Sequence, residues 1–137
     1  MQELTPLILA IHMEPSRLMR LAFTAAALKI RVLPVDQTSW GQPLGALCGL
    51  MPLRSTSSSV QVGEEMLVMA FLDDTQLDLL LQALRDSGLA PIRLKAVLTP
   101  VNQNWNCGQL YTALRDEAND FVSLWAIWII QSIYMAS

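Results

Sequence analysis

Histidine occurs once in this chain and cysteine twice, while nine lysines and arginines are scattered among twelve acids. Each scarcity excludes something. A serine or cysteine nucleophile needs a base held close by, and His12, the lone imidazole, is not brought near Cys48 or Cys107 by any sequence proximity. His12 reads as a structural or surface residue. Zinc draws several His, Cys or carboxylate ligands, and the two cysteines form no C-x-x-C pair. No metal, disulfide framework or cofactor is expected, and the thiols are expected to be reduced and partly buried. No G-x-x-x-x-G-K-[ST] phosphate loop occurs. A formal charge of −3 without a basic cluster argues against nucleic acid. The first fifteen residues carry Glu3 and no basic start, and His12 breaks their apolar run before it reaches signal-peptide length, which points to a cytoplasmic location.

What the chain does hold is apolar residues, 53% of 137, enough for one domain with a real core. Leu7 to Ile11 reads as a short buried strand. Pro15 opens a helix with Leu18, Leu21, Ala22, Ala25 and Leu28 at helical spacing, and Ile30 to Val35 is the next strand. Met66 to Phe71 is strand-like again. Asp73 and Gln76 make a capping-box signature ahead of Leu77, Leu80, Leu81 and Leu84, Ser87-Gly88 ends that helix, and Ile92 to Leu98 is the fourth strand.

The two halves read as copies of one strand-helix-strand-helix unit. Leu18/Leu21 aligns with Leu77/Leu80, Ile30-Arg31 with Ile92-Arg93, and Gly41-Gln42 … Ala46-Leu47 with Gly108-Gln109 … Ala113-Leu114. Each half has a tryptophan after its second strand, Trp40 and Trp105. Both are expected to close the core at a corner, the indole N–H needing one local acceptor. The expected organisation is one α/β domain over residues 1–120, with halves 1–50 and 64–120 joined by a Ser-rich linker, 51–63, and an apolar tail, 121–137. That tail has no charge. As a helix it would be slightly short for a bilayer core of about 30 Å, so packing on the sheet or against a second subunit is preferred to membrane contact.

Lys95-Ala96-Val97-Leu98-Thr99-Pro100-Val101-Asn102 with Trp105 resembles the signature of a bacterial and archaeal family, domain of unknown function 3783, over roughly Glu65 to Asn119. The resemblance implies a small α/β domain and assigns no activity and no catalytic residue. The tail beyond Asp120 departs from the family pattern.

Two architectures fit four strands in this order. The preferred one is a ferredoxin-like arrangement, in which the second unit runs opposite to the first in an antiparallel four-stranded sheet with helices on one face. The alternative is a small doubly wound parallel sheet with helices on both faces. The first puts the Trp40 and Trp105 corners at opposite ends of the sheet; the second puts them at one end, where they could line a pocket.

The richest site-like stretch is the turn after the fourth strand, and Lys95, Thr99, Asn102, Asn104 and Trp105 are the candidate ligand- or partner-binding residues. A structural reading competes with it. Pro100 fixes a turn, Asn102 and Asn104 can bond local backbone, and Asn106 with Gln109 can cap the next helix. A hard-cation pocket of Asp73, Asp74, Asp36 and Glu14 would require all four strand ends to meet, and Asp73 already has a role as N-cap. The expected function is a non-enzymatic regulatory or protein-interaction domain, self-associating through its apolar tail. The alternative is a small-metabolite- or nucleotide-binding regulator or small enzyme using His12, Asp36, Lys95 and Asn102 around one pocket near residues 99–106.

Overall fold

A computed structural model describes residues 4–56 and 60–118; the linker serines 57–59 and the tail 121–137 lie outside the described residues. Strands β1 (Leu7–Ile11) and β3 (Met66–Ala70) are buried at all five positions. Such unbroken apolar runs suit strands covered on both faces. They form the centre of a four-stranded sheet of order β2-β1-β3-β4, with β2 (Arg31–Val35) and β4 (Leu94–Val97) at the edges. Pro34 is tolerated in β2 because the strand is an edge. The Arg31 amide bonds inward to the Pro6 carbonyl, so by alternation the nitrogen of Pro34 faces the open side, where no ladder bond is lost.

The protein is α/β as expected, but its sheet is mixed. Parallel pairing joins β1 to β2 and β3 to β4, while β1 and β3 are antiparallel. The fully antiparallel, ferredoxin-like pairing does not form, and neither does the all-parallel sheet. Within each half a helix of twelve or thirteen residues, α1 (Pro15–Ala26) or α3 (Asp74–Asp86), carries the chain back to the start of the neighbouring strand, which is the crossover that parallel pairing needs. The second unit does run opposite to the first, because the antiparallel pair lies between the halves.

Helices cover both faces. Leu7, Leu9, Ile11, Met66, Val68, Leu94 and Ala96 pack with Trp40, with Leu44 of α2 (Leu44–Leu47), and with Leu110 and Leu114 of α4 (Cys107–Ala118). Ile8, Ala10, Leu67, Met69 and Val97 pack with Leu21 and Ala25 of α1 and with Leu77 and Leu80 of α3. The period-two alternation of the strands thus feeds two separate cores.

The strand register centres on Leu9 opposite Val68, and the sheet pairing is approximately twofold-symmetric about that pair, β1–β2 matching β3–β4. His12 and Phe71, just past β1 and β3, both take positive φ, 55° and 66°. Past α1 and α3, Lys29 and Gly88 do the same, at 61° and 83°. Lys29 donates to the Ala26 carbonyl and Ile30 to that of Ala25, the bond pair of a Schellman C-cap. Asp73 caps α3 in a reciprocal box with Gln76, as the sequence predicts.

Besides the β1–β3 pairing and the shared cores, polar contacts tie the halves together. The Trp40 carbonyl accepts from the Cys107 amide at 3.0 Å, and the Trp105 carbonyl accepts from the Leu44 amide at 2.8 Å. Leu44 and Cys107 are the first residues of α2 and α4, so each corner satisfies a helix-start donor of the other half. The two corners leave strands that end at opposite edges and directions, yet both fold back over one face and meet. At the other junction Arg17 of α1 grips Glu65 with two bonds, 2.9 and 2.6 Å, and also donates to the Ala90 carbonyl at 2.9 Å. Val62, just ahead of β3, is buried in the α2/α4 core.

Candidate functional site

The turn after β4 is a closed hydrogen-bonded unit. Asn102 is 3% exposed; its Oδ1 accepts from the Thr99 amide at 2.8 Å, and its Nδ2 donates to the Val97 carbonyl at 2.9 Å. Thr99 Oγ1, also buried, accepts from the Asn102 amide at 3.0 Å. Buried amides must be paired in this way, and here the pairing is internal. The side chain of Asn102 therefore stabilises the corner and is not presented outward.

Asn104 is exposed, and Trp105 is half-buried against the α2/α4 core. Trp105 borders an open depression with Val60, Asn106, Gly108, Gln109, Thr112 and Ala113. Asn106 and Gln109 exchange two 2.9 Å bonds, the capping box the sequence predicts for α4.

Lys95 does not join this group. It lies near the start of β4, on the α1/α3 side of the sheet, whereas Thr99 and Asn102 follow the strand's end. Its ammonium donates to the Ile92 carbonyl, and burial holds its pKa below the ordinary lysine value. No carboxylate pairs with it among the described residues. Lys95 lines a cavity of about 390 Å³ walled by Leu81, Leu84 and Arg85 of α3 and by residues 89–92.

His12, Asp36, Lys95 and Asn102 do not converge on one pocket. His12 and Asp36 follow the ends of β1 and β2, β4 lies two strands from β1, and Asn102 sits at the far end of β4. Asp36 accepts from Thr38 Oγ1 at 2.6 Å, and this bond holds its carboxyl below the usual range. Asp73 lies at the opposite end of the sheet from Glu14 and Asp36, because β1 and β3 are antiparallel. Among the described residues no group of three or more His, Cys, Asp or Glu is gathered for a metal.

Cys48 and Cys107 are both buried, free thiols in one core, and burial pushes each pKa up to about 12. Both are protonated at neutral pH, so neither supplies the thiolate that reacts. Trp40 and His12 pack as a T-shaped ring pair, but the buried Nε1 of Trp40 has no acceptor among the described residues, where a local partner is expected.

The α3/β4 cavity escapes notice in the sequence because the two halves align one residue out of register there. Strand pairing sets Arg31 opposite Leu7 and Leu94 opposite Met66. Under the internal twofold, Lys95 therefore corresponds to Val32. The correspondence of Ile30-Arg31 with Ile92-Arg93 hides that a lysine stands where the first half has a valine.

Residues 65–121 match the family described as a domain of unknown function (DUF3783). The match takes in β3, α3, β4, the turn after it and α4. No curated protein and no solved structure matches the chain. No helix among the described residues is long and apolar enough to cross a membrane.

Proposed function

For a chain whose second half carries the DUF3783 pattern, we propose a non-enzymatic protein-interaction domain that pairs with a second copy of itself through the outer face of α1. One observation carries this reading. Met19 and Phe23, one turn apart on α1, are 74% and 80% exposed, although Leu21 and Ala25 already bury the helix's other face.

Ser16, Met19, Phe23 and Ala26, all exposed, are spaced three, four and three residues apart. That is the seam spacing of paired helices. An antiparallel pairing about a twofold axis sets Met19 against Phe23 of the other copy and Ser16 against Ala26. Large residues meet large ones and small meet small, as an isologous contact requires. The seam is short, so the dimer is weak and concentration-dependent. The buried thiols and the internally bonded Asn102 support a non-catalytic role.

Sedimentation velocity of the full chain over a range of micromolar concentrations tests the reading. Reversible dimerisation that is abolished by Phe23→Glu, and unaffected by Leu53→Glu at another exposed leucine, is the expected result. A chain ending at Asp120 should still dimerise; if it does not, the association belongs to residues 121–137. A monomer at every concentration would remove the proposal.

A further inference from the structure

We infer that the cavity between α3 and β4 binds a small amphipathic acid, with its carboxylate on Lys95 and Arg85 and its apolar body against Leu81, Leu84 and Leu89. The inference is independent of the α1 seam.

The internal duplication is the first support. Val32 occupies the position of Lys95 in the other half and packs against the α1/α3 core, so the fold's own requirement at this place is apolar. A lysine there is not needed to build the unit. It brings a charge into a half-buried setting, where a charge is costly unless paired.

The second support is the missing counter-charge. Lys95 uses one of its donors on the Ile92 carbonyl, while an ammonium has three. Among the described residues Arg85 bonds the Gln82 amide oxygen alone, at 2.9 Å. No acid lines the cavity among the described residues; Glu65 is paired with Arg17, which also bonds the Ala90 carbonyl, and Asp86 accepts from Gln82 and not from Lys95 or Arg85. Two cations therefore border a largely apolar cavity, and among the described residues no carboxylate pairs with either.

The walls specify the rest of the ligand. Leu81, Leu84 and Leu89 are each only partly buried, so their exposed portions would gain from covering by an apolar body. At about 390 Å³ the cavity falls at the small end of ligand sites. A bare inorganic anion would satisfy the cations and leave the leucines wet. A neutral apolar molecule would leave the cations unpaired. An acid with a short aliphatic or aromatic body meets both demands.

The test is amide chemical-shift titration of the full chain with octanoate and 4-phenylbutyrate, with octanamide and inorganic phosphate as comparisons. At least one of the two acids should give saturable shifts at Leu84, Leu89, Ile92 and Lys95, and octanamide and phosphate should bind that place much more weakly. Lys95→Met, which keeps the shape and removes the charge, should weaken binding of the acid roughly tenfold or more, and Arg85→Gln should weaken it less. Absence of shifts with both acids at millimolar concentration would overturn the assignment. Equal binding of phosphate, or an unchanged affinity in a folded Lys95→Met protein, would overturn it too.

Discussion

The His12 and Trp40 rings form a T-shaped pair, centroids 5.4 Å apart and planes at 80°, while the indole's own buried N–H finds no acceptor among the described residues. The contact satisfies the ring and not the nitrogen. An unpaired buried donor costs about 1–3 kcal/mol, so Trp40 carries a penalty that phenylalanine would not.

Trp40→Phe should therefore change stability by less than about 1 kcal/mol, because loss of ring volume offsets relief of the orphan donor. Trp40→Ala should cost about 3–5 kcal/mol. Urea unfolding midpoints of the two variants decide the matter; a phenylalanine variant as unstable as the alanine one would show that the N–H is satisfied in solution.

Asn102→Ala removes the acceptor of the Thr99 amide and the donor to the Val97 carbonyl in a buried setting. A loss of about 2–4 kcal/mol is expected. Asn104→Ala, on an exposed side chain, should stay within about 0.5 kcal/mol. Comparable losses from both substitutions in denaturant titrations would contradict the corner described above.

Lys29 holds the left-handed position at the end of α1 that Gly88 holds at the end of α3. Left-handed backbone costs a side-chain-bearing residue about 1–2 kcal/mol, part of which glycine gives back through its freer unfolded chain. Lys29→Gly should raise stability by about 0.5–1 kcal/mol, read as a higher unfolding midpoint. A lower midpoint would mean the lysine side chain makes a compensating contact.

The Lys95 ammonium is held by burial below its ordinary value of 10.5. The folded state binds this proton less tightly than the unfolded state, so the penalty is complete below the folded pKa and is relieved as pH rises through it toward 10.5. Lys95→Val should thus stabilise the protein at neutral pH by about 1 kcal/mol. Its advantage over the native chain should shrink on the alkaline side, because the other titrating groups are common to both. Paired melting curves from neutral to alkaline pH measure this, and a difference that does not change with pH would rule out desolvation of Lys95 as the cause.

Local chemistry was the part of the fold legible in the sequence. The unbroken apolar runs of β1 and β3, Pro15 at the start of α1, and the Asp73–Gln76 and Asn106–Gln109 boxes all act over a few residues, and all form as expected. Strand direction is not local. Whether β3 runs with or against β1 depends on the end of the sheet at which the connection from Leu47 delivers Met66, here the end where β2 finishes, and nothing in its composition encodes that. The candidate site divided for the same reason. Lys95 and Asn102 are seven positions apart in the chain, but Lys95 stands near the start of β4 and Asn102 past its end, so one lines a cavity beside α3 while the other bonds its own turn. Trp40 and Trp105 were recognisable as a repeated pair, but their exchange of backbone bonds with the other half's helix needs the folded chain to be seen.

That exchange bears on autonomy. The region carrying the family pattern begins at residue 65, downstream of Trp40 and Leu44, so it lacks both the acceptor for the Cys107 amide and the donor for the Trp105 carbonyl. Cut loose, it would also bare the flank of β3 that β1 now covers. In this chain the matched region thus leaves half of its own sheet and two of its helix-start contacts to residues that precede it, with the pair Leu9 and Val68 at the centre of the junction.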